Sequence, residues 1–303
     1  MTDGETLTPA EAFAAVSNET RLAILQALAE GHRDMSFSEL RAAVGMADSA
    51  QFNYHLKQLQ PQFVLKTEEG YRIRYAGKQV VRAIVVGTFT TDLTRGPFDV
   101  PGECVSCGAA LQATYEDEML TVECGTCGRL HSKMAFPSSG LRERSDEELL
   151  SAYDRWVRAE YDLVHGGVCS NCGGPMEATL VGTMDVYGYA CGDEEADRFE
   201  VGVNHHCEQC DAHVGAAVGM GLLYEREVVT FYADHGVDLE EVRYWELLWT
   251  VSDRYTTVED EEPWRLTVTI PLEDEILCVT LDGSLAVETV ERVSADSGAT
   301  AEA

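Results

Sequence analysis

The residues best suited to chemistry in this chain are cysteines, eight of which form four Cys-x-x-Cys pairs. Cys104 and Cys107 are followed, after 16 residues, by Cys124 and Cys127, which is the spacing of a zinc ribbon. A glycine follows each of these two pairs, as the positive φ of a tight knuckle favours. Two such knuckles supply four thiolates to a tetrahedral zinc ion.

A second set of pairs is more widely spaced. Cys169 and Cys172 are separated from Cys207 and Cys210 by 34 residues. Residues 178–190 and 198–205 are predicted strands around an acidic turn at 192–197, so that a long hairpin would bring the two pairs together. The sequence therefore predicts a second four-thiolate zinc site.

Redox chemistry is the alternative use of a Cys-x-x-Cys motif. Four pairs arranged as two sets favour two structural zinc ions, and a complete four-thiolate site leaves no coordination position for catalysis. Cys191, His205, His206 and His213 are alternative ligands for the second site. Otherwise Cys191 and Cys278 are best explained as small buried hydrophobic residues.

The overall charge restricts the setting in which these sites work. The 303 residues include 53 acidic and 22 basic side chains, a net charge of −31, and only four of the basic residues are lysine. Such a surface repels itself unless salt screens it, and the Debye length falls to about 3 Å at 1 M salt. The composition indicates a halophilic protein, with an ordinary acidic cytosolic protein as the alternative.

The N-terminal part has the pattern of a DNA-binding domain. Helices are predicted from Pro9, at 19–30 with Asn18 as N-cap, and near 36–44 and 49–59. Predicted strands at 63–66 and 71–75 follow, and then a further helix. Two helices joined by a short glycine-containing turn, followed by a two-stranded ribbon, predict a winged helix-turn-helix.

Two segments carry a family resemblance. Residues 18–25, Asn-Glu-Thr-Arg-Leu-Ala-Ile-Leu, resemble a helix opening of the ArsR family of winged-helix regulators, and residues 53–59, Asn-Tyr-His-Leu-Lys-Gln-Leu, are similar to its recognition helix. The resemblance covers about residues 8–90 and is strongest to haloarchaeal regulators. It implies promoter binding. Residues 39–44 lack the cysteines of the family's usual metal sensor, so that site is not predicted.

The predicted recognition helix has two faces. At 100° per residue, Phe52, Leu56 and Leu59 share the core face, with His55 at its edge. Amides on the other face could read base edges, while basic residues there and on the ribbon contact phosphate. The predicted DNA-binding residues are Gln51, Asn53, Tyr54, Lys57, Gln58, Lys66, Arg72 and Arg74. Arg72 and Arg74 are expected on one face of the second strand, and a protein-binding winged helix is the alternative.

The part of the chain that follows the first zinc ribbon is predicted to contain both helices and strands. Ser145 and Glu148 form a capping box for a helix whose aromatic stripe, Trp156 included, is expected in the core. Another helix is predicted at 221–235, and 238–249 is ambiguous. The C-terminal strands are predicted as a three-stranded meander at 264–270, 275–281 and 285–293.

The fold class is thus α+β, in four parts. These are a winged helix-turn-helix at 1–95, a zinc ribbon at 96–140, an acidic α+β effector domain with the second zinc site at 141–293, and a disordered tail at 294–303. The acidic N-terminus does not resemble a signal peptide and no apolar stretch is long enough to span a membrane, so we expect a cytoplasmic protein.

Two functions fit this layout. The first is a sequence-specific transcriptional regulator that binds double-stranded DNA, usually as a homodimer, and whose C-terminal domain binds a small molecule or protein partner. The second is a basal transcription component, because a winged helix followed by a zinc ribbon resembles the alpha subunit of archaeal transcription factor E over residues 1–130. An enzyme is not expected, since no catalytic constellation is present.

Overall fold

The computed structural model describes residues 7–60, 62–87, 93–184 and 199–295. The chain divides into two compact units, Met1–Thr91 with Pro137–Ser139, and Asp92–Phe136 with Gly140–Ala303. The fold is mixed α+β, and every paired strand in the described residues is antiparallel.

The described residues 7–87 of the first unit form five helices and one hairpin. In chain order these are α1 (Pro9–Val16), α2 (Glu19–Gly31), α3 (Phe37–Ala43), α4 (Ser49–Leu59), β1 (Val64–Lys66), β2 (Tyr71–Ile73) and α5 (Tyr75–Val86). The predicted caps form, because the side chains of Thr8 and Asn18 accept backbone N–H groups of the first turns of α1 and α2. Helix α2 extends one residue beyond its predicted end, to Gly31, and its left-handed C-cap is His32 (φ 50°).

The core of the first unit joins α2, α3 and α4 to the hairpin. Ile24, Leu25, Phe52 and Leu56 are completely buried in it. The second strand is shorter than predicted. It ends at Ile73, and Arg74 is the N-cap residue of α5, with its N–H bound to the carbonyl of Phe63.

The second unit contains three sheets. The first is β3 (Arg95–Glu103), β4 (Ala110–Glu116), β5 (Met119–Cys124) and β6 (Leu130–Ala135). The next is β7 (Met176–Met184), β8 (Phe199–Cys207) and β9 (His213–Ala216), and the last is β10 (Thr256–Glu261), β11 (Trp264–Leu272), β12 (Glu275–Asp282) and β13 (Val287–Ser294). All strands pair in sequence order, so each sheet is a meander. The predicted three-stranded meander has a fourth strand, β10.

One hydrophobic core connects these sheets through α6 (Asp146–His165). Leu111 on β4, Leu149 and Tyr153 on α6, Val203 on β8 and Leu266 on β11 all belong to it. The predicted domains 96–140 and 141–293 both contribute to this core.

Two further sequence expectations need correction in the second unit. The helix predicted at 221–235 is a 3₁₀ turn at Val218–Leu222 followed by α7 (Arg226–Asp234), and the ambiguous region holds short 3₁₀ turns. Trp156, expected in the core, is 43% exposed on α6. The helical period places it at the rim of the apolar stripe, against the edge of Phe136.

The predicted tail overlaps the last residue of β13 at Ser294, and residues 296–303 lie outside the described residues. Cys191 and the whole of the predicted acidic turn also lie outside them. No helix in the described part of the chain is both long enough and apolar enough to cross a bilayer.

Candidate metal centres and nucleic-acid face

The first four cysteines meet between two hairpin turns of the β3–β6 sheet. Cys104 and Cys107 lie in the turn between β3 and β4. Cys124 is the last residue of β5, and Cys127 lies in the turn between β5 and β6. Each turn is closed by backbone hydrogen bonds, such as Gly108 N–H to the Cys104 carbonyl at 2.8 Å. These turns bring all four Sγ atoms within 4.8 Å of one another.

The sulfur spacing fits a tetrahedral metal ion. Four ligands at ~2.3 Å from zinc lie about 3.8 Å apart. The Sγ distances are 3.7 Å for Cys104–Cys127, 3.5 Å for Cys107–Cys124 and 3.6 Å for Cys107–Cys127. The first group can therefore hold a metal ion with little rearrangement.

The second group forms in the same way. Cys169 and Cys172 precede β7, whereas Cys207 ends β8 and Cys210 lies in the turn to β9. The Sγ atoms of Cys169 and Cys210, and of Cys172 and Cys207, are 3.6 Å apart. The predicted long hairpin is present at its described ends, with Met176 paired to Cys207.

Protons would compete for these thiolates. Although burial opposes the shift, backbone N–H groups of Cys127 and Thr126 and the thiol of Cys107 lower the pKa of Cys124 to about 6. The Ala109 N–H opposes the shift at Cys107, but neighbouring thiols raise its pKa to about 12. Four thiolates this close together repel one another, so the thiols do not all ionise in the absence of a cation. A divalent cation that binds all four sulfur atoms offsets this repulsion.

The histidines considered as substitute ligands are not needed for a four-sulfur site. His205 is buried, with its Nδ1 3.3 Å from the Val214 carbonyl oxygen. His206 and His213 lie on neighbouring strands outside the four-sulfur group. Cys278 is half-buried on β12 and belongs to neither group.

The predicted faces of α4 agree with the burial of its side chains. Phe52, Leu56 and Leu59 are completely buried and His55 is 8% exposed. The side chains predicted for the opposite face are exposed, namely Gln51, Tyr54, Lys57 and Gln58. Asn53, predicted at the flank of that face, is half-buried.

The hairpin differs from the prediction in one respect. Lys66 and Arg72 are exposed on β1 and β2, but Arg74 is not on the strand, so Arg72 and Arg74 do not form one strand face. The guanidinium of Arg72 binds Asp34, which lies between α2 and α3. No periodicity marks Asp34, and sequence reasoning missed it.

Two domain families match the chain. The family described as "Domain of unknown function (DUF7351)" matches residues 101–287, which include both cysteine groups. The family described as "Domain of unknown function (DUF7347)" matches residues 9–84, from α1 into α5. Neither the curated proteins nor the solved structures contain a significant match.

Proposed function

This chain belongs to the DUF7351 family, and because that family's description assigns no activity, we propose a function from the residues themselves: sequence-specific transcriptional regulation through DNA binding. In this proposal the first unit is an ArsR-like winged helix-turn-helix, with α3 and α4 as the helix pair and β1–β2 as the wing. The observation that carries the proposal is the polar, exposed face of α4.

That face has the side chains that base reading requires. Gln51 and Gln58 each present an amide, which can donate to and accept from an adenine edge in the major groove. Tyr54, 58% exposed, and Lys57 lie beside them and suit phosphate or guanine.

The wing would bind the DNA backbone. Lys66 is the last residue of β1 and Arg74 is the N-cap residue of α5, and both side chains are exposed. Lysine and arginine are common donors to DNA phosphates in such complexes. Arg72 contributes first to the packing of the wing, because its guanidinium is held by Asp34.

The two cysteine groups would be structural zinc sites. Four thiolates complete a tetrahedral shell, so neither ion would have a position for substrate, and we propose no catalysis there. The second unit would then be an acidic domain that receives a small molecule or a protein partner, and the regulator would bind DNA as a homodimer.

Footprinting of the purified protein on genomic fragments in molar KCl tests this function. Sharp protected sites are expected, and two half-sites about one helical turn apart would indicate a dimer. In Gln51→Ala/Gln58→Ala the preference for the protected sequence should weaken by about 1–3 kcal/mol per lost base contact. Gln79→Ala, an exposed glutamine on α5, is the matched control and should change nothing.

Uniform weak protection by the wild-type protein would contradict the proposal. That result would favour the alternative of a basal component resembling the alpha subunit of archaeal transcription factor E. Equal loss of affinity for all sequences in the glutamine variant would mean that α4 does not read bases.

A further inference from the structure

The fourth cysteine knuckle departs from the other three. Gly108, Gly128 and Gly173 follow the second cysteine of their pairs, all with positive φ near 70°. In the fourth knuckle this position is Asp211, with φ of 59°. Glycine takes this conformation without cost, whereas aspartate tolerates it less readily. The conformation of the knuckle therefore gives no reason for the carboxylate of Asp211.

The carboxylate of Asp211 faces two imidazoles. Its Oδ1 lies 3.0 Å from Nε2 of His206 and 3.6 Å from Nε2 of His213. His206 and His213 are directly paired across β8 and β9, and their rings stack at 4.3 Å. One ligand atom from each of the three residues lies within 4.8 Å of the others.

We propose that His206, Asp211 and His213 form a third metal site, open to solvent, for a divalent transition ion such as Zn²⁺. Nitrogen and oxygen ligands at about 2.0–2.2 Å from zinc lie roughly 3.3–3.5 Å apart in a tetrahedron, close to the spacing found here. Two imidazoles with one carboxylate suit zinc and its neighbours in the first transition row, whereas Mg²⁺ and Ca²⁺ prefer oxygen ligands alone.

The site differs in kind from the four-cysteine groups. Three protein ligands leave at least one coordination position open. The Asp211 side chain is 88% exposed, and those of His206 and His213 are 35% and 26% exposed. Glu177 lies opposite His206 on β7 and Glu208 lies in the same knuckle, both exposed, so the surroundings are negative. These features favour an ion that exchanges with solvent.

Equilibrium dialysis of the full-length protein against Co²⁺, after its tightly held zinc has been counted, tests the proposal. The wild-type protein is expected to take up one additional Co²⁺ whose absorption spectrum lacks the near-ultraviolet charge-transfer bands of a thiolate-bound ion. A large excess of Mg²⁺ should not displace this ion.

Three variants locate the ion. Asp211→Gly restores the residue used in the other knuckles, so it should keep the fold and both four-cysteine groups but lower Co²⁺ affinity by at least about 10–100-fold. His206→Asn should do the same, and it decides the matter if Asp211→Gly fails to fold. Glu208→Gln, which removes a neighbouring exposed carboxylate, should bind Co²⁺ as the wild-type protein does.

Two results would overturn the site. One is the absence of additional Co²⁺ uptake in the wild-type protein, which would leave only a histidine–aspartate hydrogen bond. The other is an additional ion that survives both Asp211→Gly and His206→Asn, or that Glu208→Gln removes equally, which would indicate general binding to the acidic surface.

Discussion

Asp34 and Arg72 are 38 residues apart in the chain, yet both guanidinium donors on one edge of Arg72 bind the Asp34 carboxylate. Arg72 Nε lies 2.5 Å from Oδ1 and Nη2 lies 3.0 Å from Oδ2. Thr67, in the hairpin turn, donates its hydroxyl to the same Oδ2 at 2.7 Å. The segment between α2 and α3 thus holds both the turn and the second strand of the hairpin.

Loss of this carboxylate should loosen the hairpin. In Asp34→Ala we expect faster hydrogen exchange at the Thr67 amide, which donates to the Gly70 carbonyl across the hairpin turn, and at the Tyr71 amide, which donates to the Met35 carbonyl next to Asp34. Little change is expected in α2. Arg72→Ala should have the same effect, and the double variant should be no worse than either single one. Additive effects, or equal loosening in Arg74→Ala, would show that Asp34 does not act through Arg72.

The same pair has a defined pH dependence. Hydrogen bonds from Arg72, and then from Thr67, hold the pKa of Asp34 below its usual range. A carboxyl with a depressed folded-state pKa contributes stability above its unfolded value of about 3.9, and this contribution is lost as the pH falls through the folded value. The hairpin should therefore be fully tethered at neutral pH.

The zinc content should follow the two cysteine groups. The purified protein is expected to retain two zinc ions through dialysis, and Cys124→Ser should retain one. Cys278→Ser is the matched control, because that thiol belongs to neither group, and it should keep both ions. Wild-type protein purified without chelator and free of zinc would contradict this prediction.

Loss of the first ion should affect more than residues 96–140. Val100, Leu111 and Cys124 share one core with α6 and with the C-terminal sheet. We therefore expect Cys124→Ser to lower the unfolding midpoint of the whole second unit, with the first unit unchanged. Domain-resolved hydrogen exchange distinguishes this outcome from local unfolding of the ribbon alone.

A buried ion pair should be costly to break. Asp154 and Arg158 on α6 are 5% and 6% exposed, with Arg158 Nε 2.9 Å from Asp154 Oδ2. Asp154 also accepts the N–H of Tyr244 at 2.8 Å, and Arg158 donates to the carbonyl of Val242. Asp154→Ala leaves Arg158 buried without its counterion, so denaturant unfolding should show a loss of about 3–5 kcal/mol.

Two variants test this explanation. Asp154→Leu/Arg158→Met removes both charges and should be more stable than Asp154→Ala, because apolar residues of similar size often replace a buried pair at little cost. Glu147→Gln weakens a pair in which the Glu147 side chain is 70% exposed and Arg243 keeps a second partner, Glu246, so it should cost no more than about 1 kcal/mol. A double variant less stable than Asp154→Ala would contradict the charge argument.

His131 should make the second unit sensitive to acid. It is completely buried on β6, and neither ring nitrogen has a hydrogen-bond partner in the described part of the chain. Burial, and then the charge of Arg129, lower the pKa of His131 to about 4. Between about pH 6.5 and 4 the unfolded chain takes up a proton that the folded chain does not, so stability falls as the pH falls.

The variant His131→Leu isolates this contribution. As the pH is lowered from 7 to 5, the wild-type protein should lose about 2 kcal/mol of unfolding free energy that His131→Leu does not lose, since leucine does not titrate. Metal release in acid affects both proteins alike and cancels in the comparison. An unchanged difference across this range would mean that the pKa of His131 is not lowered in the folded protein.

Salt should act unequally on the two units. Residues 1–95 carry 10 basic and 11 acidic groups, whereas 96–303 carry 12 and 42. On dilution from about 2 M to about 0.1 M KCl, lost screening should unfold the second unit first. Hydrogen exchange along the full chain would follow both units, and equal protection at both salt concentrations would contradict a halophilic adaptation.

The local patterns of the sequence were sufficient for the buried face of α4, the start of α6 and the cysteine knuckles. The spacing of Phe52, Leu56 and Leu59 identified the buried face of α4, because a helical period depends only on neighbours along the chain. The capping box of Ser145 and Glu148 located the start of α6 for the same reason. Paired Cys-x-x-Cys motifs also specified which thiols would meet.

Contacts between distant segments were decided by the tertiary structure. Period 2 placed Arg72 and Arg74 on one strand face, but the strand ends at Ile73 once Arg74 caps α5. The acidic strand β10 has no apolar alternation to mark it, and its pairing with β11 supplies its backbone hydrogen bonds. Asp34 contacts Arg72, and His206 pairs with His213, only in the folded chain. No local pattern in the sequence of either element indicates which distant element it will pack against.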